Sequence, residues 1–442
     1  MPRTTLRLCL VWIGAAAVAA AQSPDFRAPG QHPSLLLTPA RLRLLQREHE
    51  RRSPRWRQLE SLVVGKASMP ERAFADVLYF QSTGDSEAAR RAVAWALGEG
   101  GDLRQLALVF DWCQTALTEQ ESAALAAKLE QALLRPPATA GVDEARSRTF
   151  AAIALAGTAP AVSERELRRI VDDWWRGKVV PSLAAGEDIL PRSSRYALFE
   201  MMHAVRDNLN IDLRESARSY FGTLPALDLL SYYPEPHEAP ENEYRVPASA
   251  GAEFDLHAAE SARAADLAMA AYDTTSIGNQ YLQGWLLHDL FAMHGPFGAP
   301  YEFLWANPYQ PGLSYYHAPL AVHDSVVGQL FIRSGWDADA RWAGLFGGTL
   351  LMFAGGKPQT IDLASPKLLD FDHAVVAVAG DASSLTFENA VGRIFLVGLK
   401  PRSRYQLGIG HSEREEIADP GGIIEMEFPR GFSGTIRTRL QR

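Results

Sequence analysis

"FLWANPYQPGLSYYH", residues 303–317, divides the chain into two unlike halves. Prolines at 308 and 311 and a glycine at 312 forbid a continuous helix across it, and aromatic residues crowd both sides. Before it, from about Pro39 to about Met293, apolar residues recur at helical spacing. "TPARLRLLQREHERR" opens with Thr38 as an N-cap and Pro39 in the first helical position. "AFADVLYFQSTGDSEAARRAVAWALGEG" reads as two helices broken at "STGDS". "DLRQLALVFDWCQTALTEQESAALAAKLEQALL" reads as two more, the second capped by Thr118. Further helices are expected at about 143–156, 163–176, 194–208, 211–231, 253–272 and 279–293.

Beyond the divide the segments shorten, gain β-branched residues and end in turns. "FIRSGWDADARWAGLFGGTLLMFAGGKPQTIDL", residues 331–363, reads as strand, polar turn, strand, glycine pair, strand, turn, strand. "HAVVAVAG", "GRIFLVGL", "RYQLGIG", "GIIEMEFPRG" and "GTIRTRL" continue the pattern. Helices followed by regularly spaced strands predict two stacked domains, the second an antiparallel β-sandwich, with a cleft between them.

The bulk numbers agree with a globular chain: 442 residues, 47% hydrophobic and 22% charged. The formal net charge of -8 is spread over mixed acids and bases, so no basic stripe marks a nucleic-acid partner. Arg3 and Arg7, then "LCLVWIGAAAVAA" and "AAAQS", form a secretory signal peptide over residues 1–21, with cleavage expected between Ala21 and Gln22. The apolar run is short for a retained membrane span. Secretion or a periplasmic location follows, with no membrane contact after cleavage. Cys113 is then the only cysteine, so no internal disulfide forms, and its helical apolar context reads as packing.

Several stretches together resemble secreted polysaccharide lyases of the heparinase II/III-like and alginate-lyase-like group. "HPSLLLTPARLRLLQ" resembles their opening segment, and "LALVFDWCQTALTEQE" their helical hairpin with an aspartate-tryptophan pair. "FIRSGWDADARWAGLFGG" is similar to the first strands of their β-domain, and "HAVVAVAG" to a later strand. The resemblance implies an incomplete α/α toroid over residues 22–310 and a β-sandwich over 311–442. It also implies acidic polysaccharides as partners and β-elimination at a uronate. That chemistry needs a base for the proton beside the carboxylate, an acid for the departing oxygen, and a group that offsets the carboxylate charge.

Three regions offer such groups. "YYPEPHEAPENEYRVPASAG", residues 232–251, holds Tyr244 as acid/base candidate, with His237 and Arg245 to tune it and Glu243 to bind substrate. A solvated surface loop is the alternative for this segment. "GEDILPRSSRYALFEMMHAVRDN" places Arg192, Arg195 and Tyr196 at a helix start, and Tyr196, Glu200 and His203 at steps of four and three. Core packing beside Leu198, Phe199 and Met202 is the alternative there. In "DEARSRTFAAIALAG", Arg146 stands near the position where the resemblance implies a carboxylate-neutralising residue.

The β-domain departs from the family. A histidine-rich turn is implied after residues 341–348, yet Gly347-Gly348 leads straight into "TLLMFAGG", as in a shortened hairpin. Asp362 and His373 match two later positions at which some members hold zinc. Two ligands are too few for a zinc site, His317 and His323 are the only nearby supplements, and no cofactor is expected. A pairing of His373 with Asp362, Asp370 or Asp372 is the other reading. Three functions stay open: a lyase with rearranged residues, a glycan-binding protein that lost the machinery, and a glycoside hydrolase using a pair among Glu238, Glu241, Glu243 and Glu253.

Overall fold

A computed structural model describes residues 26–139, 141–239, 242–249, 254–288, 292–380, 382–390, 392–429 and 431–441. The signal-peptide segment 1–21 and its cleavage bond, together with Glu241 and Glu253, lie outside the described residues.

The first part is helical, as the apolar spacing predicts. Its helices are α1 (Pro39–Glu50), α2 (Pro54–Val64), α3 (Arg72–Thr83), α4 (Ser86–Leu97), α5 (Leu103–Trp112), α6 (Glu119–Leu134) and α7 (Val142–Ala154). There follow α8 (Pro160–Arg168), α9 (Val180–Ala184), α10 (Arg195–Leu209), α11 (Arg218–Leu230), α12 (Leu256–Tyr272), α13 (Ile277–His288) and α14 (Gly298–Trp305). Polar caps set the starts. Thr38, Ser53, Asp85 and Asp102 each accept a backbone N–H of the first turn. Thr118 and Glu121 form a reciprocal capping box.

Six helices turn inward. α3, α5, α7, α10, α12 and α14 pack in succession, and α14 closes onto α2 and α3, so six parallel helices ring a common axis. α8 and α9 belong to one outer stretch, joined through the π-helical residues Arg169–Val179, so inner and outer stretches alternate in direction and all six inner N-termini open at one end of the ring, called the mouth below. The inner helices are apolar around most of their circumference because each is enclosed by neighbours: α5 buries all but one of its residues.

The second part stacks three sheets on the ring. β3 (Ala321–Asp324), β4 (Gln329–Arg333), β5 (Trp342–Phe346), β6 (Thr349–Ala354) and β7 (Lys357–Ile361) form an antiparallel meander; the earlier pair β1 (His237–Ala239) and β2 (Asn242–Tyr244) is a separate hairpin. β8 (Lys367–Asp370), β9 (Ala374–Val378), β11 (Arg393–Val397) and β14 (Ile424–Glu427) form the middle sheet. β10 (Ala382–Ala390), β12 (Arg404–Ile409), β13 (Ser412–Ile417) and β15 (Phe432–Leu440) form the outer one.

Side-chain alternation makes the layers. Val375, Ala377, Ile394 and Leu396 face the outer sheet, whereas Ala374, Val376, Val378, Phe395 and Val397 face the meander. With both faces covered, β9 reads as the unbroken apolar run "AVVAV", and it pairs in parallel with β11. The other meander face, Val322, Phe331, Trp342, Leu351 and Phe353, packs on Leu227 and Leu230 of α11 and on Tyr233. The sandwich expectation is thus met and extended by a third layer and one parallel pair.

Gly347 and Gly348, at φ 55° and 74°, form the two-residue turn between Phe346 and Thr349. A Cβ would meet no atom within 4 Å at either position, so backbone conformation alone calls for glycine. No room remains in that turn for a histidine-bearing insertion.

Candidate functional site

At the mouth the ring is tied by charge. Arg104 at the start of α5 donates from Nε and Nη2 to Glu200 of α10 at 2.8 and 2.6 Å, and from Nη1 to both Glu71 oxygens at 3.2 Å. Burial works against the Arg104 charge, but Glu200 and Glu71 outweigh it and hold its pKa above the usual arginine value. Tyr301 of α14 donates to Glu71. Arg146 of α7 adds a bond from Nη1 to Glu200 at 3.1 Å, while its buried Nε has no hydrogen-bond partner.

Tyr196 belongs to this network. Its hydroxyl donates to Glu200 at 2.5 Å and accepts from Trp305 Nε1 at 3.0 Å. Burial, then the Glu200 charge, push its pKa well above that of a free tyrosine. A phenol held this way keeps its proton and faces the core. His203 lies two turns beyond Tyr196, fully buried, with Nε2 donating to the Ala268 carbonyl at 2.9 Å and the ring 4.6 Å from that of Trp305. Burial, reinforced by Arg41, pulls its pKa well down. The spacing of four and three does put Tyr196, Glu200 and His203 on one face, and that face points into the ring. His203 has no exposed atom to offer a substrate.

Arg192 and Arg195 are likewise engaged. Arg192 Nη1 donates to Asp228 at 2.8 Å and to Ser231 at 2.6 Å, its Nη2 reaches Asp266 at 3.4 Å, and its guanidinium covers the Tyr232 ring at 4.8 Å. Arg195 pairs with the same Asp228 carboxylate. Nε of both arginines, Asp228 Oδ2 and Asp266 Oδ1 are buried without a hydrogen-bond partner.

The segment after α11 forms the β1–β2 hairpin, not an irregular loop. His237 lies directly across from Tyr244, and Glu238 from Glu243. Opposed residues share a face and successive ones alternate, so His237 and Tyr244 stand together on one side and Glu243 on the other. The same register weakens the hydrolase pair: Glu238 and Glu243 are exposed neighbours on one face and cannot flank a glycosidic bond from two sides. Tyr244 is half-buried and packs against both the ring core and the seam with the meander. Arg245 Nη1 donates to the Pro234 carbonyl at 3.2 Å.

The seam holds residues that no sequence spacing singled out. Arg333, at the end of β4, is 4% exposed; its Nε donates to Gly335 O at 2.5 Å and its guanidinium lies 4.3 Å over Trp336. No carboxylate of the described residues lies within ion-pair distance of it. Burial, then the neighbouring Arg245 charge, lower its pKa to about 10. Trp336 Nε1 is buried with no hydrogen-bond partner. Tyr315 packs edge-on to Trp336 at 5.2 Å and stacks on the exposed Tyr316 at 4.6 Å. Burial and the Tyr316 hydrogen bond raise the Tyr315 pKa against the pull of Arg245 and Arg333, so Tyr315 keeps its proton. The Arg333 guanidinium and an unpartnered indole N–H thus lie together beside Arg245, where a carboxylate would satisfy both. The signal in the sequence was only the aromatic "LSYYH" and "FIRSGW".

Asp362 and His373 are not brought into a metal centre. Exposed Asp362 accepts from Ala364 N and Ser365 Oγ in its own turn. The His373 ring bonds the Phe371 carbonyl at 2.8 Å rather than Asp362, Asp370 or Asp372. Asp370 accepts from the Asp372 backbone, and Asp372 pairs with Arg341. Among the described residues no group of three or more His, Cys, Asp and Glu side chains has metal-holding geometry. His323 is instead clasped between Asp419 at 2.7 Å and Glu425 at 2.9 Å, bridging the meander to the middle sheet. His317 lies exposed in the segment before β3.

Hollows of about 540 and 770 Å³ open at the opposite end of the ring, among residues such as Asp212, Arg214 and Asn279, away from the tyrosine-arginine groups. Among the described residues no helix is long and apolar enough to cross a membrane.

No family model matches the chain, and no curated protein matches it. Among solved structures it is similar to a heparan sulfate lyase HepC mutant from Pedobacter heparinus, at 11% identity over 83% of this chain and 75% of that one, with a TM-score of 0.39. At that distance, residue roles follow only from this chain's own geometry.

Proposed function

We propose that the protein cleaves a uronate-containing polysaccharide by β-elimination at the mouth of the helical ring, along the seam with the first sheet. The observation that supports this is the Arg333 guanidinium, buried beside Arg245 and the Trp336 indole N–H without a carboxylate of its own. A uronate carboxylate there would be neutralised, which acidifies the adjacent C–H. Tyr244, side by side with His237 on the hairpin, takes that proton. The C–H electrons form the C=C bond as the glycosidic C–O bond breaks, and protonated Tyr315 delivers a proton to the leaving oxygen. Tyr196, Arg192, Arg195 and Arg146 act here as the frame that holds the mouth open. Residues 1–21 are taken as an export signal, which places the reaction outside the cytoplasm.

Residues 22–442 would be incubated with alginate, heparan sulfate, chondroitin, hyaluronan and pectate, and the ultraviolet absorbance of the unsaturated product followed. Product formed by the wild type and lost in Tyr244→Phe is the expected result. Binding of a polymer without any unsaturated product would favour the glycan-binding alternative, which the glycine turn at 347–348 already accommodates.

A further inference from the structure

The end of the ring opposite the mouth carries a second concentration of arginine. A cavity of about 360 Å³ lies between the start of α1 and the C-terminal ends of α12 and α14. Arg41, Arg43 and Arg47 line it together with Trp305, Asn307 and Tyr309, and no Asp or Glu is among its lining residues. None of the three arginines has a carboxylate of the described residues within ion-pair distance. Asp207 is bound by Arg206, and Glu48 by Arg55 and by the Tyr309 hydroxyl.

Each wall suits an anion carried on a sugar ring. The Arg41 guanidinium lies 4.2 Å over the Trp305 ring and uses one Nη to bond the Leu36 carbonyl, which leaves its other donors toward the cavity. Burial is the main cause that lowers its pKa to about 10, Asp207 opposing and Arg206 adding to the fall. Arg43 and Arg47 are exposed and one turn apart, so they repel with no acid between them. Thr38 and Pro39 start α1 at the same place, and its first-turn N–H groups add positive potential. Tyr309, 49% exposed, has the Arg47 and Arg51 guanidinium groups over its ring at 6.0 and 5.8 Å, and the Asn307 side chain supplies an amide. The volume lies in the range of small-ligand sites.

We propose that this cavity is a second, non-catalytic site that binds a carboxylate- or sulfate-bearing oligosaccharide, with Arg41, Arg43 and Arg47 holding the oxyanion. It stands on its own residues and holds whether or not the mouth performs elimination. Beside an active mouth it would retain a long polyanion between rounds of cleavage.

Hydrogen–deuterium exchange of the full chain tests it with three probes: a heparin-derived tetrasaccharide, tetragalacturonate and neutral maltotetraose. The expected result is slower exchange over residues 38–47 and 304–310 with one or both anionic probes and not with maltotetraose. That protection should fade as ionic strength rises, vanish in Arg43→Ala/Arg47→Ala and persist in Arg333→Ala. Sulfate selectivity or carboxylate selectivity is read from which anionic arm protects. Equal protection by maltotetraose, protection that survives the double substitution, or no protection over these segments at millimolar probe would each overturn the proposal. Loss or survival of protection over residues 237–245 and 333–336 reports on the mouth separately.

Discussion

Arg104 and Glu200, 96 residues apart, meet through two hydrogen bonds of 2.8 and 2.6 Å with neither side chain exposed. The pair fastens α5 to α10 at the mouth, and Glu71 and Arg146 complete its charge balance. Removing one partner strands a buried charge. Arg104→Ala is therefore expected to lower unfolding free energy in urea by about 3–5 kcal/mol. Glu200→Gln, which keeps the shape and some bonds, is expected to cost less. Burial alone would raise the Glu200 pKa, yet Arg104 and Arg146 outweigh it and the value is lowered. The stability it contributes is present above the unfolded carboxylate range and is lost as pH falls below it.

His323 supplies the opposite sign. Burial would depress its pKa, but Asp419 and Glu425, the latter also bound by Arg393, raise it to about 9. A folded pKa above the unfolded ~6.5 means stability fully present below about pH 6.5 and lost as pH rises through 9. The contribution is up to about 3 kcal/mol. Thermal melting followed between pH 6 and 10 should show this decline, and His323→Gln should flatten it.

Tyr196 and Tyr244 separate stability from turnover. Tyr196→Phe removes a donor from Glu200 and an acceptor from Trp305 Nε1, with an expected loss of about 1–3 kcal/mol. Tyr244→Phe is expected to keep a cooperative unfolding transition in urea and to abolish formation of unsaturated product. Parallel unfolding curves and ultraviolet rate assays on the two variants check both statements.

Much of the architecture could be read from period and punctuation. The helices near 143–156 and 194–208 appear as α7 and α10, and the Gly347-Gly348 hairpin forms as expected. β8 and β13 were invisible because they are mostly exposed: "SEREEI" carries no apolar alternation to mark a strand. The stacking of a third sheet was also hidden, since an apolar run such as "AVVAV" fixes burial on both faces without naming the layers. For the site, spacing correctly joined Tyr196, Glu200 and His203 but could not tell which way their face turns. In an inner helix enclosed on all sides, that face is core. Spacing does not mark Arg333 and Trp336, because their meaning lies in what they lack among the described residues, an ion-paired carboxylate and an acceptor, and only tertiary placement reveals that.

On the proposed function, the buried Arg333 guanidinium, beside Arg245, receives a substrate carboxylate. The most direct measurement is the affinity of the chain for one uronate polymer before and after chemical reduction of its carboxylates, in the wild type and in Arg333→Ala. Carboxylate reduction is expected to weaken wild-type binding by about tenfold or more, the scale of one charge-assisted hydrogen-bonded contact, and to change Arg333→Ala binding far less. Equal wild-type affinity for native and reduced polymer, or an unaltered preference in Arg333→Ala, would contradict that role.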